Sequence, residues 1–187
     1  MVYDIGCNDG RVPVAAAAQC GARGVGVEVQ AKGCRKARAA ARAAGVEHLV
    51  TIVEGDALRP DISYAPATVV YLYLLPRGLE PLGAKLRREL RPGTRVVSYL
   101  FRLPASWAGW TALEAAVAVA SPRAGAVDAA FPTRLYLYRV LPPWRRRGAL
   151  ALAAQSTLVL AAALLALGAS RRWQSRSRSG LRGEGGG

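Results

Sequence analysis

Cysteine, histidine and lysine are scarce in this chain. Cys7, Cys20 and Cys34 form no C-x-x-C pair, and the single histidine, His48, has no second imidazole to ligate beside it. A structural zinc site and a disulfide framework are both excluded, because each needs paired ligands at short spacing. Only Lys32, Lys36 and Lys85 are lysines, so the 26 basic residues are almost all arginine; acidic residues number 12, for a formal net charge of +14. The arginine excess goes with a general richness in alanine and glycine, so by itself it is weak evidence for a nucleic-acid partner. No internal repeat is visible. What is present suffices for a core: 52% of the 187 residues are apolar, which excludes wholesale disorder and argues for one domain with a tail.

Composition changes at Pro142-Pro143. Residues 1–142 alternate short apolar runs with turns, as a globular α/β domain does. Residues 143–173 hold Trp144-Arg145-Arg146-Arg147, an uncharged run from Gly148 to Ser170, and Arg171-Arg172-Trp173. As a helix this run would be about 34 Å long, enough to span a bilayer, with Trp and Arg suited to both interfaces. Residues 148–170 are therefore expected to anchor the chain to a membrane, against the alternative of a buried or surface-docked Ala/Leu helix. The run lies too far C-terminal for a signal peptide, and no targeting segment is expected upstream of the first strand. Residues 174–187 are Ser, Arg and Gly and read as a disordered basic tail. From Trp144 onward eight arginines face one glutamate, so half of the net charge lies outside the domain.

Within the domain, Val2–Ile5 reads as a buried strand running into Gly6-Cys7-Asn8-Asp9-Gly10. A small-residue helix follows over Arg11–Cys20, with Pro13 tolerable in its first turn. Gly24–Glu28 is a second strand, and Lys32–Ala44 a basic helix stopped by Gly45. Leu49–Val53, Ala67–Leu74 and Thr94–Phe101 are further strands, with a helix over Leu79–Leu90. Ala115–Ala120 and Arg134–Val140 pair best as an antiparallel hairpin at the sheet edge. Alternation at these intervals implies right-handed crossovers. The fold class is α/β, a Rossmann-like seven-stranded, mostly parallel sheet with an antiparallel edge hairpin.

Three features fall at the C-terminal ends of the first three strands, where open α/β sheets bind ligands. The glycine-bearing bend lets backbone approach a bound molecule. Glu28 can accept hydrogen bonds from both hydroxyls of a ribose, and Asp56 from an exocyclic adenine amine. Together they describe a nucleoside pocket. A dinucleotide fold wants G-x-G-x-x-G, which Gly6–Gly10 does not fit. The stretch does fit D-x-G-x-G-x-G with Asn8 in the middle glycine's place, and asparagine tolerates left-handed backbone.

These motifs resemble the class I S-adenosylmethionine-dependent methyltransferases. Within them the chain is similar to a small bacterial and mitochondrial protein-lysine methyltransferase group, through Asp4–Arg11, Gly24–Glu28, Thr68–Pro76 (T-V-V-Y-L-Y-L-L-P), Leu90–Ser98 and the closing strand Leu135–Val140. The resemblance covers residues 2–140. It implies that Asp4, Gly6, Asn8 and Gly10 hold the methionine moiety, Glu28 the ribose, and Asp56 and Ala57 the adenine. Cys7, Val29 and Leu74 complete the candidate cofactor set; Tyr73 and Pro76 are the candidate catalytic residues, and no metal is expected. The family carries one or two helices before the first strand, and these N-terminal helices are expected to be missing here. With the uncharged run 148–170, the resemblance to mitochondrial members makes a membrane-associated, mitochondrial location the expectation, with a soluble intracellular one as the alternative.

Methyl transfer from a sulfonium is an in-line displacement in which proximity alone is worth roughly 7–11 kcal/mol. A lysine acceptor must lose its proton, and an apolar or aromatic wall disfavours its charged form. Tyr71, Tyr73, Tyr99 and Trp107 are the aromatic candidates near the strand ends; Tyr71 and Tyr73 share a face, where packing under a helix is the competing role. No residue stands out as general base: His48 reads as a surface residue and Cys7 as a packing residue. Lys32, Arg35, Lys36, Arg38 and Arg42 form a solvated helix face. The expected function is protein-lysine N-methylation with S-adenosylmethionine as cofactor and a protein as partner. The alternatives are RNA methylation, which no Asn-Pro-Pro-Tyr-like base pocket supports, and a catalytically inactive membrane-tethered binding protein.

Overall fold

Apolar runs between glycine-bearing turns form the central strands, and the alanine- and leucine-rich runs between them form helices. The computed structural model describes residues 1–119 and 134–145. Its elements are β1 (Val2–Ile5), α1 (Arg11–Cys20), β2 (Gly24–Glu28), α2 (Ala31–Ala43), β3 (Val50–Glu54), β4 (Val69–Leu72), α3 (Pro76–Glu89), β5 (Arg95–Tyr99), β6 (Thr111–Ala118) and β7 (Arg134–Val140). They build one seven-stranded sheet in the order β3-β2-β1-β4-β5-β7-β6. The first five strands are parallel, and β7 runs antiparallel between β5 and β6. The strand order reverses between β1 and β4, the switch point at which such sheets open a crevice.

Two faces are packed differently. Beneath one face α3 buries Leu79, Leu82 and Leu86 against Tyr3, Ile5, Val70, Leu72 and Val96. Each leucine so buried contributes about 1.5–3 kcal/mol. On the other face α1 and α2 present alanines, and Ala17 and Ala41 pack with Val46 and Val50. Small side chains bring these helices close to the sheet: a Cβ on Gly24 would stand 2.7 Å from Pro13 Cβ.

Several boundaries differ from the sequence reading. The strand expected over 67–74 pairs only as Val69–Leu72, the length of β1 beside it; Thr68 N–H instead donates to Met1 O. Helix α3 begins three residues earlier than expected, because Pro76 lies in its first turn with its fixed φ. The strand expected over 115–120 is Thr111–Ala118, set by pairing of Thr111 with Val140 and by an irregularity between Leu113 and Ala115. Trp107, expected near the strand ends of the site, belongs to the core. It is buried, stacks on Trp110 at 4.9 Å between ring centres, and seats its indole over Gly83 of α3. The run 148–170 and the tail 174–187 lie outside the described residues. Among the described residues, no helix is long and apolar enough to cross a membrane.

Candidate active site

The bend between β1 and α1 is fastened to β2. Gly6 N–H and Cys7 N–H both donate to Val27 O, at 2.8 and 3.0 Å, and Gly10 N–H closes the turn onto Cys7 O at 2.8 Å. Asn8 takes φ +46, the left-handed conformation in which asparagine replaces glycine at little cost. At Gly10 the requirement is space as well as φ: a Cβ there would stand 2.7 Å from Ala37 Cβ of α2.

Glu28 turns towards this bend. One carboxylate oxygen accepts Asn8 N–H at 2.9 Å and the other accepts Gln30 N–H at 2.8 Å. A carboxylate has about four acceptor positions, so each oxygen keeps capacity for a diol. Gly33 makes room for this side chain, since a Cβ there would meet Glu28 Cγ at 2.9 Å and Asn8 O at 3.2 Å. Gly55 N–H donates to Glu28 O at 2.9 Å and so ties the end of β3 to the end of β2. Asp56, next in the chain, is exposed and caps Leu58 N–H at 2.9 Å. Ala57 is fixed from below by the buried Tyr64, whose hydroxyl donates to Ala57 O at 3.0 Å. Glu89 of α3 in turn takes Tyr64 N–H and Lys85 Nζ, at 2.7 and 2.8 Å.

Asp4 lies under the bend, between Gly26 and Tyr71 in the register of the sheet. Among the described residues its carboxyl has no hydrogen bond or ion pair. Burial, with the charges of Asp9 and Glu28, pushes its carboxyl up to about 8, against the pull of Arg11. For Asp9, burial acts upward but the Arg11 hydrogen bonds and charge outweigh it and hold the group below its ordinary value. Cys7 packs against Gly26; burial, then Asp4 and Glu28, raises its thiol, leaving it inert. At the end of β4, Leu74 abuts Gly6. Tyr73 is 55% exposed and meets Tyr99 edge-on at 4.8 Å, while Tyr71 is buried with Val97 and Leu137. Pro76 is exposed at the start of α3, and His48 is exposed on a turn remote from the bend.

The donor set discriminates between ligands. The N–H groups of Gly6, Cys7, Asn8 and Gly10 are all engaged within the protein, so the bend has no array of free donors for a pyrophosphate. What it offers is a carboxylate with spare acceptor capacity, and apolar side chains left in water: Val29 is 67% exposed and Leu58 43%. Those features fit an adenosyl group, whose ribose needs acceptors and whose base needs flat apolar cover. Leu58, Gly33 and Tyr64 escaped the sequence reading. A glycine in the first turn of an otherwise alanine-rich helix was the available signal for Gly33.

Comparison with known proteins decides the family. The ANTKMT methyltransferase domain matches residues 4–110, more than half of the chain. The chain belongs to this family. As a member of the ANTKMT methyltransferase family it is similar to a protein-lysine N-methyltransferase of Saccharolobus islandicus, strain REY15A. The two are 42% identical over 115 residues, which cover 61% of this chain and 68% of that relative. Among solved structures it is similar to an RNA methyltransferase of Salinibacter ruber bound to S-adenosyl-L-homocysteine. There the identity is 33%, the TM-score 0.62, and coverage 82% of this chain and 86% of the other. TrmN of Thermus thermophilus shares the fold at 20% identity and TM-score 0.59, covering 75% of this chain and 43% of that one. The protein is an S-adenosylmethionine-dependent methyltransferase of class I, and S-adenosylmethionine is its cofactor.

Proposed function

We propose that this methyltransferase N-methylates a lysine side chain of a protein. The observation that carries this reading is the Tyr73–Tyr99 pair, a half-exposed aromatic edge at the ends of β4 and β5 beside the cofactor bend. A lysine must arrive neutral to act as nucleophile. An aromatic, poorly hydrated approach favours the neutral amine and aligns it. The protein-lysine methyltransferase named above supports the same acceptor class.

When bound, the cofactor supplies an electrophilic methyl on a sulfonium that leaves without needing a proton. The chain's own residues do the positioning. Asp4, Gly6, Asn8 and Gly10 hold the methionine end, Glu28 the ribose, and Asp56, Ala57 and Val29 the adenine, with Leu58 on its open side. Tyr73 and Pro76 border the acceptor, and Leu74 presses the end of β4 against the bend. The amine's proton leaves to solvent, since among the described residues no side chain is placed as a general base. The uncharged run 148–170 is proposed to tether the domain to a membrane. Carbonate extraction of tagged full-length protein tests this, and complete release would overturn it.

RNA methylation is the second reading, favoured by the similarity to the Salinibacter ruber enzyme. Incubating cell extract with the protein and methyl-tritiated S-adenosylmethionine separates the two. Label removed by protease and recovered as methyl-lysine supports the proposal. Label removed by ribonuclease replaces it with the RNA reading.

A further inference from the structure

At the end of the sheet opposite the cofactor bend, a cavity of about 450 Å³ opens between the turns that lead into β4 and β5 and the last residues of β7. Thr68, Arg91, Gly93, Arg95 and Arg139 are among its walls. Arg95 and Arg139 stand directly opposite each other on antiparallel strands. Like charges so placed destabilise a ladder unless an anion offsets them. Glu114 of β6 engages Arg139 through both Nε and Nη2. The Arg95 side chain is left half-buried, and among the described residues its guanidinium has no hydrogen bond or ion pair. Burial and the charge of Arg139 weaken its hold on its proton, with Glu114 acting the other way. Arg91 is exposed at the mouth, and among the described residues its guanidinium likewise has no hydrogen bond or ion pair. The turn's own amides are spent: Gly93 N–H donates to Val140 O at 2.9 Å and Thr94 N–H to Arg91 O at 3.1 Å. The free donors are therefore the guanidinium forks of Arg91 and Arg95, beside an Arg139 whose fork Glu114 already holds.

Planar guanidinium forks match the oxygens of a phosphate group. A cavity of this volume lies in the range of small-molecule sites, with room for a phosphate and part of the group that bears it. We propose that this cavity binds a phosphate monoester or diphosphate, with Arg95 as the central donor and Arg91 and Arg139 flanking it. Such a group can come from a soluble organic phosphate or from a phosphorylated lipid headgroup.

The test uses the full-length chain with two probes. Pyrophosphate is added in a thermal-unfolding titration against sodium chloride of equal ionic strength. Sedimentation with phosphatidylcholine vesicles is measured with and without phosphatidic acid. Stabilisation by pyrophosphate alone identifies a soluble source, and sedimentation that phosphatidic acid raises above phosphatidylcholine alone, with the increase lost in Arg95→Met, identifies a headgroup. In either arm Arg95→Met should weaken binding about tenfold or more while leaving S-adenosylhomocysteine affinity unchanged. Arg91→Ala, at an exposed position that folding tolerates, should weaken it several-fold. Arg35→Gln, on the exposed face of α2, should change nothing. The proposal is overturned if neither probe differs from its control, or if Arg35→Gln loses as much as Arg95→Met.

Discussion

Glu28 joins the bend to the nucleoside side of the pocket, and its two oxygens already accept backbone N–H groups. Replacing it with glutamine turns one acceptor into a donor facing an N–H. Glu28→Gln should therefore lower S-adenosylhomocysteine affinity about 10- to 100-fold, read by titration calorimetry, with the far-ultraviolet spectrum intact. Asp4 gives a pH dependence. Its carboxyl titrates near 8 in the folded protein, above the ordinary 3.8, so the unfolded chain releases this proton first as pH rises. The ligand-free protein should lose stability between those two values, by at most about 1.4 kcal/mol per pH unit, and level off above. Urea unfolding at a series of pH values should show that slope, and Asp4→Asn should flatten it. Asp4, Glu28 and the glycines were legible in the sequence because spacing alone puts them at strand ends. Leu58 was not, since an exposed leucine is unremarkable until the base it would cover is considered. Trp107 was misplaced because nothing local to Ser106-Trp107 shows that Gly83, far away in the chain, leaves a seat for its ring.

Helices meet the sheet here through missing side chains, and that fixes where substitution is costly. A Cβ on Gly83 would stand 2.3 Å from Trp107 Nε1, in a position where α3 lies fully packed. Gly83→Ala should destabilise the protein by about 1–3 kcal/mol, although alanine is the better helix former, and a chemical denaturation curve would show it. Gly33→Ala sits in the first turn of α2 against Glu28 and Asn8 O. There the expected loss is of cofactor affinity more than of stability, because the displaced group is Glu28, the carboxylate proposed to hold the ribose. The existence and order of the strands could be read from apolar runs and glycine turns. Their ends could not: β4 stops where β1 stops, and β6 starts where β7 ends, so each limit is set by a partner strand.

Across the whole molecule, the most interior position of the antiparallel edge is filled by β7, the last of the described strands. Leu135, Leu137 and Val140 of β7 are almost entirely buried between β5 and β6. Deleting everything from Arg134 onward should leave β5 and β6 without their shared partner and yield an aggregated or unfolded product by size-exclusion chromatography and circular dichroism, even though the residues proposed to bind the cofactor all precede residue 80. The arrangement also has a consequence for biosynthesis. About 35 residues separate the end of β5 from the start of β7, which at roughly 5–20 residues per second means some seconds of translation. Throughout that interval the nascent chain offers the ribosome's surroundings an unclosed β margin, and its maturation is timed by the emergence of β7 from the exit tunnel.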